Sequence, residues 1–294
     1  MSALSDFMKK RNNISEILLV SDLDGTMMNR ENDVSAQNRE ALKEFMSLGG
    51  RFAVCSGRVI GSSEWMKVPV NTPSILHNGG SIYDYNTREI LWSLPMESPV
   101  RDVIADLFAH FPEMAWTVYT AREHYVLHHN AWSDWLSSIE GCSPAKINYN
   151  LSDITDPILK FVVPASSEEI DEARDYLDRK YQKEKEEGRL NFSYNVSLPT
   201  LFEFTGVRSD KSAALRELAK MCQVSMDDII YMGDNMNDMT ALKAAGCAVV
   251  PESGLETVRR IADYITVDQD EHIMVDVLRE LKKGLNKNAA AKKK

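Results

Sequence analysis

The amino-acid sequence predicts an α/β fold: a doubly wound parallel sheet interrupted by an inserted α+β module. Two observations predict the sheet. Short apolar runs alternate with helical patterns at the spacing of right-handed βαβ units. Two of these runs, 18–24 and 228–234, end abruptly in aspartate, and in an open parallel sheet ligands gather beyond the carboxyl ends of the strands. A third observation predicts the insertion: from about residue 96 to 199 the alternation lapses, then resumes from Ser209.

Residues 18–21 are too short and too β-favouring for a helix and read as a buried strand running into Asp22-Leu23-Asp24-Gly25-Thr26. The polar loop 29–33 leads to Ser35, an N-cap for a helix burying Ala41, Leu42, Phe45, Met46 and Leu48 and stopped by Gly49-Gly50. Residues 51–56 form a second strand ending at Gly57-Arg58, and 73–77 a third ending in Asn78-Gly79-Gly80. A hairpin follows, 81–85 and 89–94 about Asn86-Thr87. In the insertion, helices are expected at 97–111, 131–139 and 166–187, the last opened by the capping box Ser166/Glu169. Its strands are expected at 114–120, 124–129, 158–163, 190–196 and 200–205. Afterwards come a helix at 209–221, a strand at 229–232, the loop 233–238 and a short helix at 239–245. A strand at 247–250, a helix at 255–262, a strand at 264–267 and a final helix at 271–283 complete the pattern. The expected organisation is a core from 1–84 and 201–286, the inserted domain at 85–200, and a disordered tail at 287–294.

Composition narrows the function. With 34 basic against 44 acidic residues the chain carries a net charge of −10. That disfavours nucleic-acid or anionic-membrane partners, which need a positive field, so an anionic substrate would be held by local charge, a metal or helix ends. The four cysteines, Cys55, Cys142, Cys222 and Cys247, lack CxxC spacing and read as reduced thiols in a cytoplasmic protein. There is no apolar run of membrane-spanning length and no signal-peptide core near the start.

Asp22 and Asp24 lie two positions apart, which in extended chain turns both side chains to one side. A parallel sheet brings Asp234 and Asp238 to the same edge. Several carboxylates there need a cation, and oxygen-only ligands indicate Mg²⁺; four unrelated surface turns would share the spacing. At Ser56-Gly57 a hydroxyl with free backbone N–H groups suits phosphate oxygens, though Ser-Gly is equally a common turn. Lys211 opens a helix, where a cation opposes the dipole, so it either serves a ligand or is solvated. Trp116, Tyr119, Tyr125, Trp132 and Trp135 have the composition to stack on a sugar or base, but read first as the insertion's own packing. His124, His128 and His129 face alternately along a strand and are not read as a metal site.

In order and spacing, DLDGT at 22–26, Ser56, Lys211 and GDNMND at 233–238 resemble the four motifs of the haloacid dehalogenase (HAD) superfamily of phosphotransferases. SGR at 56–58 and NGG at 78–80 are similar to its Cof-type branch, subclass IIB, whose α/β cap is inserted at this place. The resemblance implies a Rossmann-like core and a Mg²⁺-dependent phosphatase of small phosphorylated metabolites, sugar phosphates foremost. Asp22 would be the nucleophile and Asp24 the general acid/base. Mg²⁺ would take Asp22, the Asp24 carbonyl and Asp234, with Asp238 steadying its shell. Ser56, Gly57, Lys211 and Asn237 would bind the phosphoryl group, and Arg58, Asn78 and Gly79 would touch the rest of the substrate. A monomer or weak homodimer is expected. A sugar phosphomutase and a non-catalytic phospho-ligand regulator remain open on the same scaffold. Departures from the branch pattern are Met27-Met28 after the first motif, Ser212 after the lysine, the lead-in Val207-Arg208-Ser209-Asp210, and Pro251 to Gly254.

Overall fold

A computed structural model describes residues 2–65, 68–96, 99–190, 192–206 and 209–291. Its helices, in chain order, are α1 Ala3–Phe7, α2 Ala36–Ser47, α3 Ile60–Trp65, α4 Pro99–His110, α5 Ala131–Glu140, α6 Ser167–Glu186, α7 Lys211–Cys222, α8 Met239–Ala244, α9 Glu256–Arg259 and α10 Ile273–Ala291. The strands are β1 Leu18–Ser21, β2 Arg51–Val54, β3 Ser74–Leu76, β4 Ser81–Asp84, β5 Glu89–Ser93, β6 Thr117–Thr120 and β7 His124–Val126. They continue with β8 Ile158–Pro164, β9 Phe192–Leu198, β10 Leu201–Gly206, β11 Ile229–Met232, β12 Cys247–Pro251 and β13 Tyr264–Thr266. Two compact units result: Met1–Gly57, Met66–Leu91 and Asp210–Lys294 form one, Arg58–Trp65 and Trp92–Ser209 the other.

The first unit is built on a five-stranded sheet in the order β13-β12-β11-β1-β2, parallel throughout. Every residue of β1 is buried, as expected of a central parallel strand covered on both faces. Ser21 pairs with both Met232 and Val54, so β1, β11 and β2 end level and put Asp22, Gly233 and Cys55 at one edge. The unit also holds β3, β4 and the start of β5 from a further sheet, β3-β4-β5, with a parallel bridge from Cys55 to Ile75. On α2 the Ser35 hydroxyl caps the Asn38 N–H at 3.1 Å, and Leu42 and Phe45 enter the core, while Leu48 stays exposed. The amino-terminal segment also joins that core, through Leu4 and Met8.

In the second unit the sheet β7-β6-β8-β10-β9 is antiparallel. One cluster joins Trp116, Val118, Phe161, Val163, Phe202 and Phe204 to the apolar residues of α4 and α6. The alternate positions Tyr119, Val162 and Leu201 pack with Val59 and with Leu136 of α5. Trp116 and Tyr119 are thus core residues, and the capping box Ser166/Glu169 is present at the start of α6.

Several boundaries differ from expectation. β10 pairs with β8 and β9, which carries the second unit past residue 200; the first unit runs on to Leu91 and yields Arg58–Trp65 to the second. The tail expected to be disordered from 287 continues α10 as far as Ala291, as its three alanines favour. α9 is a single turn, and α7 begins at Lys211 because Asp210, not Ser209, is its N-cap. Glu97 and Ser98, and Val207 and Arg208 of the lead-in, lie outside the described residues. Among the described residues, no helix is long and apolar enough to cross a membrane.

Leu4 is fully buried in the first unit's core. Leu4→Ala should therefore lower unfolding free energy by about 2–5 kcal/mol in a denaturant titration. A loss below about 0.5 kcal/mol, the scale of surface substitutions, would show that the segment is not part of the cooperative core.

Candidate active site

The level strand ends of the first unit gather charge from distant parts of the chain. Asp22 continues β1, its N–H donating to the Met232 carbonyl at 2.8 Å. It is 5% exposed, whereas Asp24 is exposed, so the pair expected on one side differs in burial. The chain between them turns sharply: Asp24 is extended at φ −67°, ψ 125°, and Gly25 takes φ 75°. Glycine is required there twice over, by the positive φ and because a Cβ would fall on the Asp234 carboxylate. Thr26 then donates its hydroxyl to Asp234 Oδ1 at 2.8 Å.

Lys211, the first residue of α7, is buried, with Nζ 3.0 Å from Asp22 Oδ2 and 2.7 Å from Asp238 Oδ1. Burial alone would drive the ammonium toward neutrality; Asp22 and Asp238 outweigh it, and the pKa is raised. Its position depends on two contacts. Asp210 caps α7 by accepting from the Ser212 and Ala213 N–H groups at 2.6 and 2.9 Å, which offsets the cation's conflict with the helix dipole. Gly79, at φ 93°, packs so closely on the Asp210 carbonyl that any side chain would displace it. Gly79, expected from sequence to touch substrate, is buried and packs under the start of α7.

Asp238 has no acceptor capacity to spare. Oδ1 takes Lys211 and, at 2.8 Å, the Tyr231 hydroxyl; Oδ2 takes the N–H groups of Asp234 and Asn235, each at 3.2 Å. It fixes Lys211 and the loop that carries Asp234. Asn237, exposed, donates to Asn78 Oδ1 at 3.4 Å, and Gly57 lies against the Asn78 side chain. Ser56 is buried, and its N–H donates to the Ile75 carbonyl at 2.9 Å. The free N–H expected at that residue is therefore committed to the sheet. Arg58 falls in the second unit, donating to Ser62 Oγ at 3.0 Å. Sequence reasoning gave no role to Thr26, Asp210 or Tyr231. Only Asp210 carried a readable signal, an aspartate directly before a helical pattern.

Asp22, Asp234 and Asp238 offer carboxylate oxygens within 4.8 Å of one another. Fully ionised, three carboxylates and one ammonium leave a charge of −2 in a buried site. The strain is visible in the acids: burial, then Asp238, holds Asp22 well above its ordinary range, and burial lifts Asp234 to about 6. A divalent cation matches that charge. With Asp238 saturated, Asp22 and Asp234 are the acids left to hold one, which fits a hard cation that takes one or two carboxylates and keeps its waters.

A family model for haloacid dehalogenase-like hydrolases matches residues 19–278. The chain belongs to that family. Its parallel core carries an inserted antiparallel α/β unit, a fold it shares with solved HAD structures. It is 24% identical over 280 residues to the 5-amino-6-(5-phospho-D-ribitylamino)uracil phosphatase YwtE of Bacillus subtilis, covering 90% of this chain and 97% of that protein. A haloacid dehalogenase-like hydrolase from Bacteroides thetaiotaomicron shares the fold at TM-score 0.79 and 23% identity, over 90% of this chain and 99% of the other. The HAD subclass IIB sugar phosphatase BT4131 does so at TM-score 0.72 and 16% identity, over 91% and 99%.

The raised Asp234 pKa has a pH signature. Between 3.8 and about 6 the folded protein holds more of this proton than the unfolded chain, so stability falls as pH rises through that window. Metal-free wild type should thus lose more Tm than Asp234→Asn between about pH 4 and 7. Added Mg²⁺ should raise Tm at the higher pH in wild type only. Identical pH slopes and identical Mg²⁺ responses would contradict the assignment.

Proposed function

We propose that this HAD hydrolase is a Mg²⁺-dependent phosphatase of small phosphorylated metabolites, sugar phosphates foremost, acting through an aspartyl-phosphate on Asp22. The observation that carries this reading is the buried Asp22 carboxylate held 3.0 Å from the buried Lys211 ammonium at the strand-end edge. The phosphatase names of curated relatives and the sugar-phosphatase fold neighbour support the substrate class.

An Asp22 oxygen attacks phosphorus, the bond to the ester oxygen breaks, and its electron pair leaves on that oxygen. Asp24, exposed and so able to reach a leaving group, gives it a proton. Asp24 then takes a proton from water as that water attacks the phosphorus of the acyl phosphate, releasing phosphate and restoring Asp22. Lys211 meets the charge spread over the phosphoryl oxygens, with the Ser56 hydroxyl, Gly57 and Asn237 as further contacts and Asn78 orienting Asn237. A Mg²⁺ held by Asp22, Asp234 and the Asp24 carbonyl would offset the repulsion between carboxylate and phosphate.

Asp22→Asn should lower kcat with an aryl phosphate by more than about 10³-fold, since an amide is a very poor nucleophile toward phosphorus. Its circular dichroism should be unchanged. Asp24→Ala should still release one equivalent of the activated aryl alcohol in a burst and then stall. An Asp22→Asn protein that keeps about a tenth of wild-type activity would sink the assignment.

A further inference from the structure

Outside the strand-end site, the second unit gathers a further group of potential ligands: buried His124 and half-buried Glu140 and Cys142, whose ligating atoms lie within 4.8 Å of one another. We propose that these three residues bind a divalent metal of the zinc class, with water completing the coordination.

The chain's path explains how they meet. Glu140 is the last residue of α5, and Gly141 ends the helix in the left-handed region at φ 68°. That reversal sends the following segment back beside β7, where the Ala145 N–H donates to the His124 carbonyl at 2.9 Å and Lys146 bridges Tyr125. Glu140 and Cys142 therefore approach His124 from either side of one αL residue. His124 sits on β7 opposite Tyr119, and their rings stack at 5.2 Å.

Two buried atoms point to a missing partner. His124 is 6% exposed, and its Nε2 has no hydrogen-bond partner among the described residues. Glu140 Oε1 accepts from the Tyr119 hydroxyl at 2.8 Å, while Oε2 is buried with none. An unmatched buried nitrogen and oxygen are costly, and Glu140 stands at a helix C-terminus, where a carboxylate is further disfavoured. A cation between them removes both penalties. Imidazole, thiolate and carboxylate together suit zinc better than magnesium. Zinc bond lengths of about 2.0–2.3 Å place tetrahedral ligands roughly 3.3–3.8 Å apart, so the group needs only a small contraction. The Tyr119 hydroxyl fixes the Glu140 carboxylate from behind, as outer partners of metal ligands do.

The charged neighbours are Lys160, 3.8 Å from Glu203 and 4.5 Å over the Tyr119 ring, and Arg58. Both lower the affinity for a cation. Against them, Glu140, Glu203 and a Cys142 thiolate supply three negative charges; the thiol's burial, which raises its pKa to about 11, is what the metal must overcome.

Co²⁺ is the probe, added to the metal-stripped full-length protein with excess Mg²⁺ present to fill the oxygen-ligand site. The expected result is one tightly bound Co²⁺ per chain, with a thiolate-to-cobalt charge-transfer band and the intense visible bands of a tetrahedral ion. Zn²⁺ should abolish both stoichiometrically. Cys142→Ser should remove the charge-transfer band, and Tyr119→Phe, which keeps every ligand, should weaken binding about 10–100-fold. No thiolate band in wild type would overturn the proposal, as would a band that survives in Cys142→Ser, which would belong to another cysteine.

Discussion

The structure of the catalytic edge depends on one buried ammonium. Lys211 lies between Asp22, which continues a central strand, and Asp238, which anchors the loop after β11. These three residues come from three separate stretches of chain, and each is too buried to be stable with its charge unmatched. Removing the ammonium would strand two carboxylates in a poorly solvated site, a loss of about 3–5 kcal/mol for a broken buried pair. The arrangement therefore couples folding to the candidate site: this edge of the core is stable only when the three charges meet.

What surrounds the lysine follows from that constraint. Asp210 caps α7 so that a cation can occupy its first turn, and Gly79 leaves room for the capping carbonyl. Tyr231, a strand residue, turns a hydroxyl to Asp238, and Thr26 does the same for Asp234. The residual negative charge falls on Asp22 and Asp234. That is where a divalent cation would serve the proposed reaction, whose nucleophile and substrate are both anionic.

Much of this was legible in the sequence because strand ends and acids are local signals. Two apolar runs ending in aspartate located both halves of the site, and Ser35 and Ser166 marked helix starts that the structure contains. What escaped were features decided by distance. Asp238 reads as a residue that steadies a metal's shell, but its four hydrogen bonds are not legible in the sequence, and Ser56 reads as a free donor until its N–H is found in the sheet. The strand expected at 200–205 does belong with the insertion's strands, but the boundary expected at residue 200 cuts β10 off from them, because a short β-favouring run does not state its partner. At residues 287–291 helix propensity prevails over terminal position, and α10 runs on to Ala291. In the second unit, His124 was judged with its neighbours His128 and His129. Those pair elsewhere, His129 with Asp134 at 2.8 Å and His128 3.9 Å from Glu113, while the groups near His124 lie more than a dozen residues away.

The central claim is that Asp22 carries the phosphoryl group during turnover. Its most direct test is chemical trapping. Enzyme quenched during turnover in borohydride should be reduced at the acyl phosphate, converting that one aspartate to homoserine, and peptide mass spectrometry locates it. The account predicts homoserine at position 22, dependent on both substrate and Mg²⁺. Homoserine at another acid, or efficient turnover with none at Asp22, would contradict it.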